Sequence, residues 1–114
     1  MESNQVIKAL AALAQGSRLA IFRLLIQSGP QGLSVGKIAG HLDIAPATLS
    51  FHLKELSLAG LLTSRQEGRF VIYSASFATM NDLIGFLTQN CCGGNSCTPA
   101  VACDPARATE MHHA

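Results

Sequence analysis

Apolar residues recur every three to four positions over most of the first ninety residues, which is the spacing of amphipathic helices. On the first predicted helix, for example, Val6, Leu10 and Leu13 form one stripe. The breaks in the pattern fall at Gly- and Pro-containing stretches, the strongest local breakers. The pattern therefore predicts five helices, at about residues 4–14, 18–27, 35–42, 46–59 and 77–90. Pro46 suits the first turn of the fourth helix, and Gly60 suits its C-terminal stop.

Between the fourth and fifth helices the pattern changes to two extended runs, 61–66 and 69–75. Glu67 and Gly68 lie between them, in the position of a two-residue hairpin turn. Only about three residues separate the third and fourth helices, which suits the sharp turn of a helix-turn-helix. The sequence thus predicts a mainly α fold with a β-hairpin wing, a winged helix-turn-helix. The alternative is a small helical bundle with an incidental hairpin.

Length and composition indicate one globular domain with extra apolar surface for a partner. The chain has 114 residues, of which 48% are hydrophobic and 13% charged. No run approaches the roughly 18 apolar residues of a membrane span, and the N-terminus lacks the features of a signal peptide. We therefore expect a cytoplasmic protein without a membrane partner. The net charge of +1 means that any basic surface must be local.

The fourth helix has two distinct faces. Leu49, Leu53 and Leu56 form its core stripe, and the remaining side chains project elsewhere. Hydroxyl groups can donate hydrogen bonds to phosphates or base edges, small residues allow close approach, and an outward phenylalanine fits a thymine methyl. The predicted DNA contacts on this helix are Ala47, Thr48, Ser50, Phe51, His52 and Lys54. The alternative is that the hydroxyl residues are ordinary surface residues and that His52, at the margin, is a packing histidine.

Two arginines flank the predicted hairpin turn. Positive charge from Arg65 and Arg69 at a wing tip would lie over the phosphate backbone or enter a minor groove. Glu67 moderates this charge, and exposed arginines are common at turns. The wing by itself is therefore weak evidence for DNA binding.

All four cysteines lie between residues 91 and 103, in a polar, glycine-containing segment. A free thiol behaves as a small hydrophobe, so cysteines used for packing would be scattered through the core. In a reducing compartment, clustered cysteines favour metal binding or redox chemistry over structural disulfides. The cluster therefore indicates thiol chemistry.

Three of these sulfurs, those of Cys91, Cys92 and Cys97, can converge on one ion. Neighbours on a regular helix diverge by about 100°, so the helix must fray there, which the following glycines ease. Thiolates select soft ions, which leaves trivalent arsenic or antimony, Cu(I), cadmium and zinc open. Cys103 is a candidate fourth ligand. A thiol redox switch and an inert tail are the alternatives.

An enzyme is not expected. Reactive catalytic cysteines usually lie at a helix N-terminus or beside a cation, whereas these follow a helix C-terminus, where the dipole disfavours a thiolate. A metal carrier or interaction module without DNA binding is the other competing class.

One motif makes the comparison with a known family specific. Leu49-Ser50-x-His52-Leu53-x-x-Leu56-x-x-Ala59-Gly60-Leu61, followed by Arg65-x-Glu67-Gly68-Arg69 and Tyr73, resembles the recognition helix and wing of the ArsR (ArsR/SmtB) family. The resemblance covers roughly residues 5–90 and implies a homodimer held by the first and last helices. It also implies that two recognition helices bind double-stranded operator DNA. The implied division is 1–90 for DNA binding and dimerisation, and 91–114 for a sensing tail.

The resemblance also bears on the effector, which in this family typically releases the DNA. The third helix lacks the Cys-x-Cys pair of one group of members, and Asp82 lacks the histidine partner used in another. The pattern of Cys91, Cys92 and Cys97 resembles the arsenite site of certain members and favours these three over Cys103. The resemblance thus implies As(III), or Sb(III), as the inducer and no obligatory cofactor.

Overall fold

The computed structural model describes residues 1–94. This part of the chain contains five α-helices, three short strands and a closing turn of 3-10 helix. Their bounds are α1 Ser3–Leu13, α2 Gly16–Ser28, β1 Leu33–Ser34, α3 Val35–Leu42, α4 Pro46–Leu58, β2 Leu62–Glu67, β3 Phe70–Ala75, α5 Phe77–Leu87 and the turn Cys91–Gly94. The predicted order of the five helices and the hairpin, and the winged helix-turn-helix class, are confirmed.

The ends of α3 and α4 follow directly from local chemistry. The Ser34 hydroxyl caps α3 by accepting a hydrogen bond from the Lys37 backbone N–H at 3.3 Å. Pro46 opens α4, where its missing N–H is not needed. Gly60 follows that helix with a φ of +79°, a conformation that glycine adopts without steric cost. These residues set where α3 begins and where α4 begins and ends.

The core lies between the helices and the strands, and each of the five helices contributes a buried apolar residue to it. Its most deeply buried large side chains are Ile21, Leu25, Ile38, Leu49, Leu53, Leu56 and Leu61. The stripe predicted on α1 is partly wrong, because Val6 is buried beside Ala9 and Ala12 whereas Leu10 is exposed. Small alanines let α1 approach its neighbours closely, and this close packing turns Leu10 outward.

The three strands form one antiparallel sheet in the order β1-β3-β2. The short strand β1 was not predicted, because two residues carry no alternation that a sequence could reveal. The β2–β3 register runs from Leu62 opposite Ala75 to Glu67 opposite Phe70. The two turn residues are consequently Gly68 and Arg69, one position later than predicted, and Gly68 has a φ of +62°.

The last helix ends at Leu87, three residues earlier than predicted. Asn90 and Cys92 then adopt left-handed backbone conformations, with φ of 56° and 57°. The chain therefore leaves the helical path before the first cysteine, and Cys91–Gly94 forms a separate turn. Cys97 and Cys103 lie outside the described residues.

Among the described residues, no single helix is long and apolar enough to cross a membrane; α1 and α2 together reach that length and composition only as a pair bent by 102°.

Candidate DNA interface and cysteine turn

The outer face of α4 carries most of the side chains predicted to contact DNA. Ala47, Thr48, Ser50 and Lys54 are exposed, and Phe51 is 55% exposed. The opposite face is anchored in the core by Leu49, Leu53 and Leu56. A helix held on one side by three leucines, with hydroxyls and an aromatic ring on the other, presents a defined surface to a groove.

His52 does not share this surface with the other predicted contacts. Its side chain is only 7% exposed, and its Nδ1 lies 3.5 Å from Nη1 of Arg18. With about 100° between successive helical residues, position 52 points about 40° to one side of Leu56, at the edge of the inward face. The packing alternative therefore describes His52, and its ring also lies 5.8 Å from that of Phe51.

The wing arginines have different surroundings. Arg65 donates hydrogen bonds to Glu67 Oε2 at 2.6 Å, to Ser74 Oγ at 3.3 Å and to the Gln31 carbonyl at 2.6 Å. All three nitrogens of its guanidinium are thus engaged within the protein. The expectation that Arg65 lies ready for a phosphate is not met in this structure.

Arg69, in contrast, is exposed at the hairpin turn, and within residues 1–94 it makes no hydrogen bond or ion pair. The next residue, Phe70, is 64% exposed. The sequence pattern did not predict an exposed aromatic ring at this position. A wing tip thus presents one uncompensated cation beside an apolar ring. Uncompensated cations are the groups that release counterions when they meet a phosphate.

The cysteine turn brings two sulfurs close together. Cys91 Sγ and Cys92 Sγ lie 3.7 Å apart, and both residues are exposed. Cys92 is disulfide-bonded in this structure. Within residues 1–94, no group of three His, Cys, Asp or Glu side chains converges as a metal site. The third predicted ligand, Cys97, and the candidate Cys103 lie outside the described part of the chain.

The first and last helices both leave large apolar side chains uncovered. On α1, Ile7 is 62% and Leu10 41% exposed, and on α5, Leu87 is 58% exposed. The two helices are neighbours, since Met1, just before α1, lines a small cavity with Asp82 and Phe86 of α5. The uncovered side chains therefore belong to adjoining elements of the fold.

The tight α3–α4 connection, the exposed face of α4 and the hairpin beside it define a winged helix-turn-helix DNA-binding domain. Residues 13–65 match the helix-turn-helix domain family. The chain is 40% identical over 70 residues to the HTH-type transcriptional regulator YceK of Bacillus subtilis (strain 168), covering 60% of this chain and 69% of that protein. It is 33% identical over 70 residues to a candidate arsenical resistance operon repressor, ArsR, of Halobacterium salinarum, covering 61% of this chain and 54% of that protein.

Solved structures agree with this assignment. An ArsR-like transcriptional regulator from Rhodococcus sp. RHA1 has a TM-score of 0.68 at 27% identity, with 75% of this chain and 78% of that chain covered. Reduced HlyU from Vibrio cholerae has a TM-score of 0.63 at 31% identity, covering 79% and 92%. The homodimeric winged helix-turn-helix domain of Mb0332 from Mycobacterium bovis has a TM-score of 0.61 at 27% identity, covering 84% and 89%.

The chain belongs to the ArsR/SmtB family of winged helix-turn-helix transcriptional regulators. Its function is accordingly DNA binding in transcription regulation rather than catalysis.

Proposed function

We propose that this protein is a homodimeric repressor that holds operator DNA and releases it when trivalent arsenic binds the thiolates of Cys91, Cys92 and Cys97. The observation that carries the proposal is the pair of sulfurs 3.7 Å apart immediately after the last helix. Because Cys92 is disulfide-bonded in this structure, the proposed site forms in the reduced protein. Antimony in the same oxidation state has the same preference for thiolates and would act likewise.

The distance between the two sulfurs suits a shared ion. Two thiolates bound at about 2.3 Å, with an angle between 100° and the tetrahedral value, lie roughly 3.5–3.8 Å apart. The left-handed conformation of Cys92 allows this approach, because two neighbours on a regular helix would point about 100° apart. A third thiolate from Cys97 would complete a pyramidal set.

The dimer is proposed from the uncovered apolar residues on α1 and α5 together with the homodimeric neighbour. Ile7, Leu10 and Leu87 would lose contact with water when two copies pair through these helices. A two-fold axis would then place two copies of α4 about one DNA turn apart, in successive major grooves.

The proposed release of the operator DNA depends on the position of the cysteine turn next to the last helix. The turn begins four residues after Leu87, so an ion that reorganises it acts on the end of a helix proposed to form the dimer interface. The ion shifts the equilibrium only to the extent that it binds the DNA-free arrangement more tightly. A coupling free energy of about 1–3 kcal/mol would weaken operator binding roughly 5- to 150-fold.

The test is a gel mobility-shift titration of reduced protein on DNA from upstream of its own gene, with and without arsenite. Cys91→Ser and Cys97→Ser should bind the DNA as tightly as the wild type but no longer release it with arsenite. Cys103→Ser is the matched control and should release normally. A Cys91→Ser or Cys97→Ser protein that still releases at the wild-type arsenite concentration contradicts the proposed site. Wild-type protein that binds no duplex contradicts the repressor function itself.

Thiol oxidation is the second candidate, favoured by the disulfide at Cys92 and by the similarity to a protein described as reduced HlyU. The same titration separates the two. Release by diamide without arsenite, reversed by a reductant, would indicate a redox switch. Release by arsenite under constant reductant supports the metalloid site.

A further inference from the structure

Arg65 lies at the centre of a contact cluster at the base of the wing. In an antiparallel pair, residues opposite each other and every second residue along a strand project to the same face. The register therefore places Arg65, Glu67 and Ser74 on one face of the hairpin. Ser74 is buried, and its hydroxyl donates a hydrogen bond to the Pro30 carbonyl at 3.0 Å.

The same cluster joins the wing to the loop between α2 and β1. Arg65 Nη2 donates to the Gln31 carbonyl in that loop, and Arg65 Nη1 contacts Ser74, which itself holds the neighbouring Pro30. Gly32 in this loop lies so close to the Tyr73 backbone that a Cβ at position 32 would clash with it, so the loop packs directly against β3. The base of the wing is thus fixed to the helical body, while Gly68, Arg69 and Phe70 at its tip remain exposed.

The charge of Arg65 is compensated where it lies. Glu67 Oε2 accepts a hydrogen bond from Arg65 Nε at 2.6 Å, and the two side chains are 43% and 57% exposed. A pair with no net charge neutralises no phosphate, and so it displaces few of the counterions condensed on the DNA. Arg69 has no such partner among the described residues.

We propose that Arg65 is a positioning residue that fixes the angle of the wing against the body, and that Arg69 alone provides the phosphate contact of the wing. The proposal rests on the DNA-binding function and is independent of the effector. An arginine is required at position 65, since only its planar fork can reach a carboxylate, a hydroxyl and a carbonyl together. A lysine would keep the charge and lose two of these contacts.

The experiment measures operator affinity from 50 to 300 mM salt for the full-length wild type and four variants, on an operator selected from random duplex DNA. Arg65→Lys and the double variant Arg65→Gln/Glu67→Gln, which both keep the net charge of the pair region unchanged, should each weaken binding by about tenfold without changing the slope of log affinity against log salt, as expected for lost hydrogen bonds. Arg69→Gln should lower the magnitude of that slope by about 0.9. Glu67→Gln, which leaves the Arg65 charge uncompensated, should raise the magnitude of the slope.

Hydroxyl-radical footprinting supplies a readout that a general loss of stability would not change. In Arg65→Lys, protection should fall at the flanking minor grooves contacted by the wing and persist at the central sites bound by α4. If Arg65→Lys instead binds like the wild type and Arg65→Gln/Glu67→Gln lowers the magnitude of the slope by about 0.9, Arg65 is a phosphate contact and the proposal is overturned. A uniform loss of all protections would also overturn it. Failure of the wild type to bind DNA would contradict the regulator function instead, so the two outcomes are distinguishable.

Discussion

Replacing Gly32 by alanine should destabilise the protein far more than the same change at Gly60. Both glycines have positive φ, +68° and +79°, so alanine carries the same conformational cost of about 1–2 kcal/mol at each. The surroundings differ. A Cβ at Gly60 would meet nothing within 4 Å, whereas a Cβ at Gly32 would lie 2.5 Å from Ser74 Oγ and closer still to the Tyr73 carbonyl oxygen.

The additional cost at Gly32 can be worked from the contacts that must break. To make room, β1 must separate from β3 near the Leu33–Tyr73 pair, or the Ser74 hydroxyl must leave the Pro30 carbonyl. Each lost hydrogen bond costs about 0.5–1.5 kcal/mol. The total expected for Gly32→Ala is therefore about 3 kcal/mol, against about 1–2 kcal/mol for Gly60→Ala.

The assay is urea unfolding followed by circular dichroism, at one fixed protein concentration because the unfolding of a dimer depends on concentration. The midpoint should fall clearly further for Gly32→Ala than for Gly60→Ala, with similar slopes. Equal free energies of unfolding for the two variants would refute the reasoning, because they would mean that the contact between the loop and β3 contributes nothing.

Two further predictions concern the two proposed interfaces. Phe51→Ala should weaken specific operator binding by about tenfold, since losing the recognition of one base pair costs about 1–3 kcal/mol, while binding to non-specific duplex stays unchanged. An equal loss on both duplexes, measured by fluorescence anisotropy, would argue against base readout. Leu87→Asp should raise the dimer dissociation constant about a thousandfold, because burial of roughly 2 kcal/mol per leucine is lost twice across a two-fold axis. Phe70→Asp in the wing is the control, and analytical ultracentrifugation that finds Leu87→Asp as dimeric as this control would exclude α5 from the interface.

Local chemistry in the sequence was enough to predict much of the fold. The helical periodicity, Pro46 at the start of α4 and Gly60 after its end depend on backbone constraints that act within a few residues. The exposed face of α4 follows from the same periodicity, because three inward leucines determine where the remaining side chains point. The wing hairpin was also predicted, although its turn lies one residue later, at Gly68 and Arg69.

Other features were decided by contacts between residues far apart in the sequence. The two-residue strand β1 exists because β3 offers it an edge, and Leu10 faces outward because small alanines bring α1 against its neighbours. His52 is buried beside Arg18, thirty-four positions away in the sequence.

The two wing arginines show most clearly that contacts between distant residues cannot be predicted from the sequence alone. By sequence, Arg65 and Arg69 are equivalent cations flanking a turn. In the fold, Arg65 lies within reach of the Gln31 carbonyl and the Ser74 hydroxyl, groups brought together by the sheet register and the loop after α2. Arg69 lies at the tip, where among the described residues nothing compensates its charge. The sequence by itself determined the residue types and the local elements; only the tertiary structure decided which arginine is engaged within the protein, because that depends on partners brought together by folding.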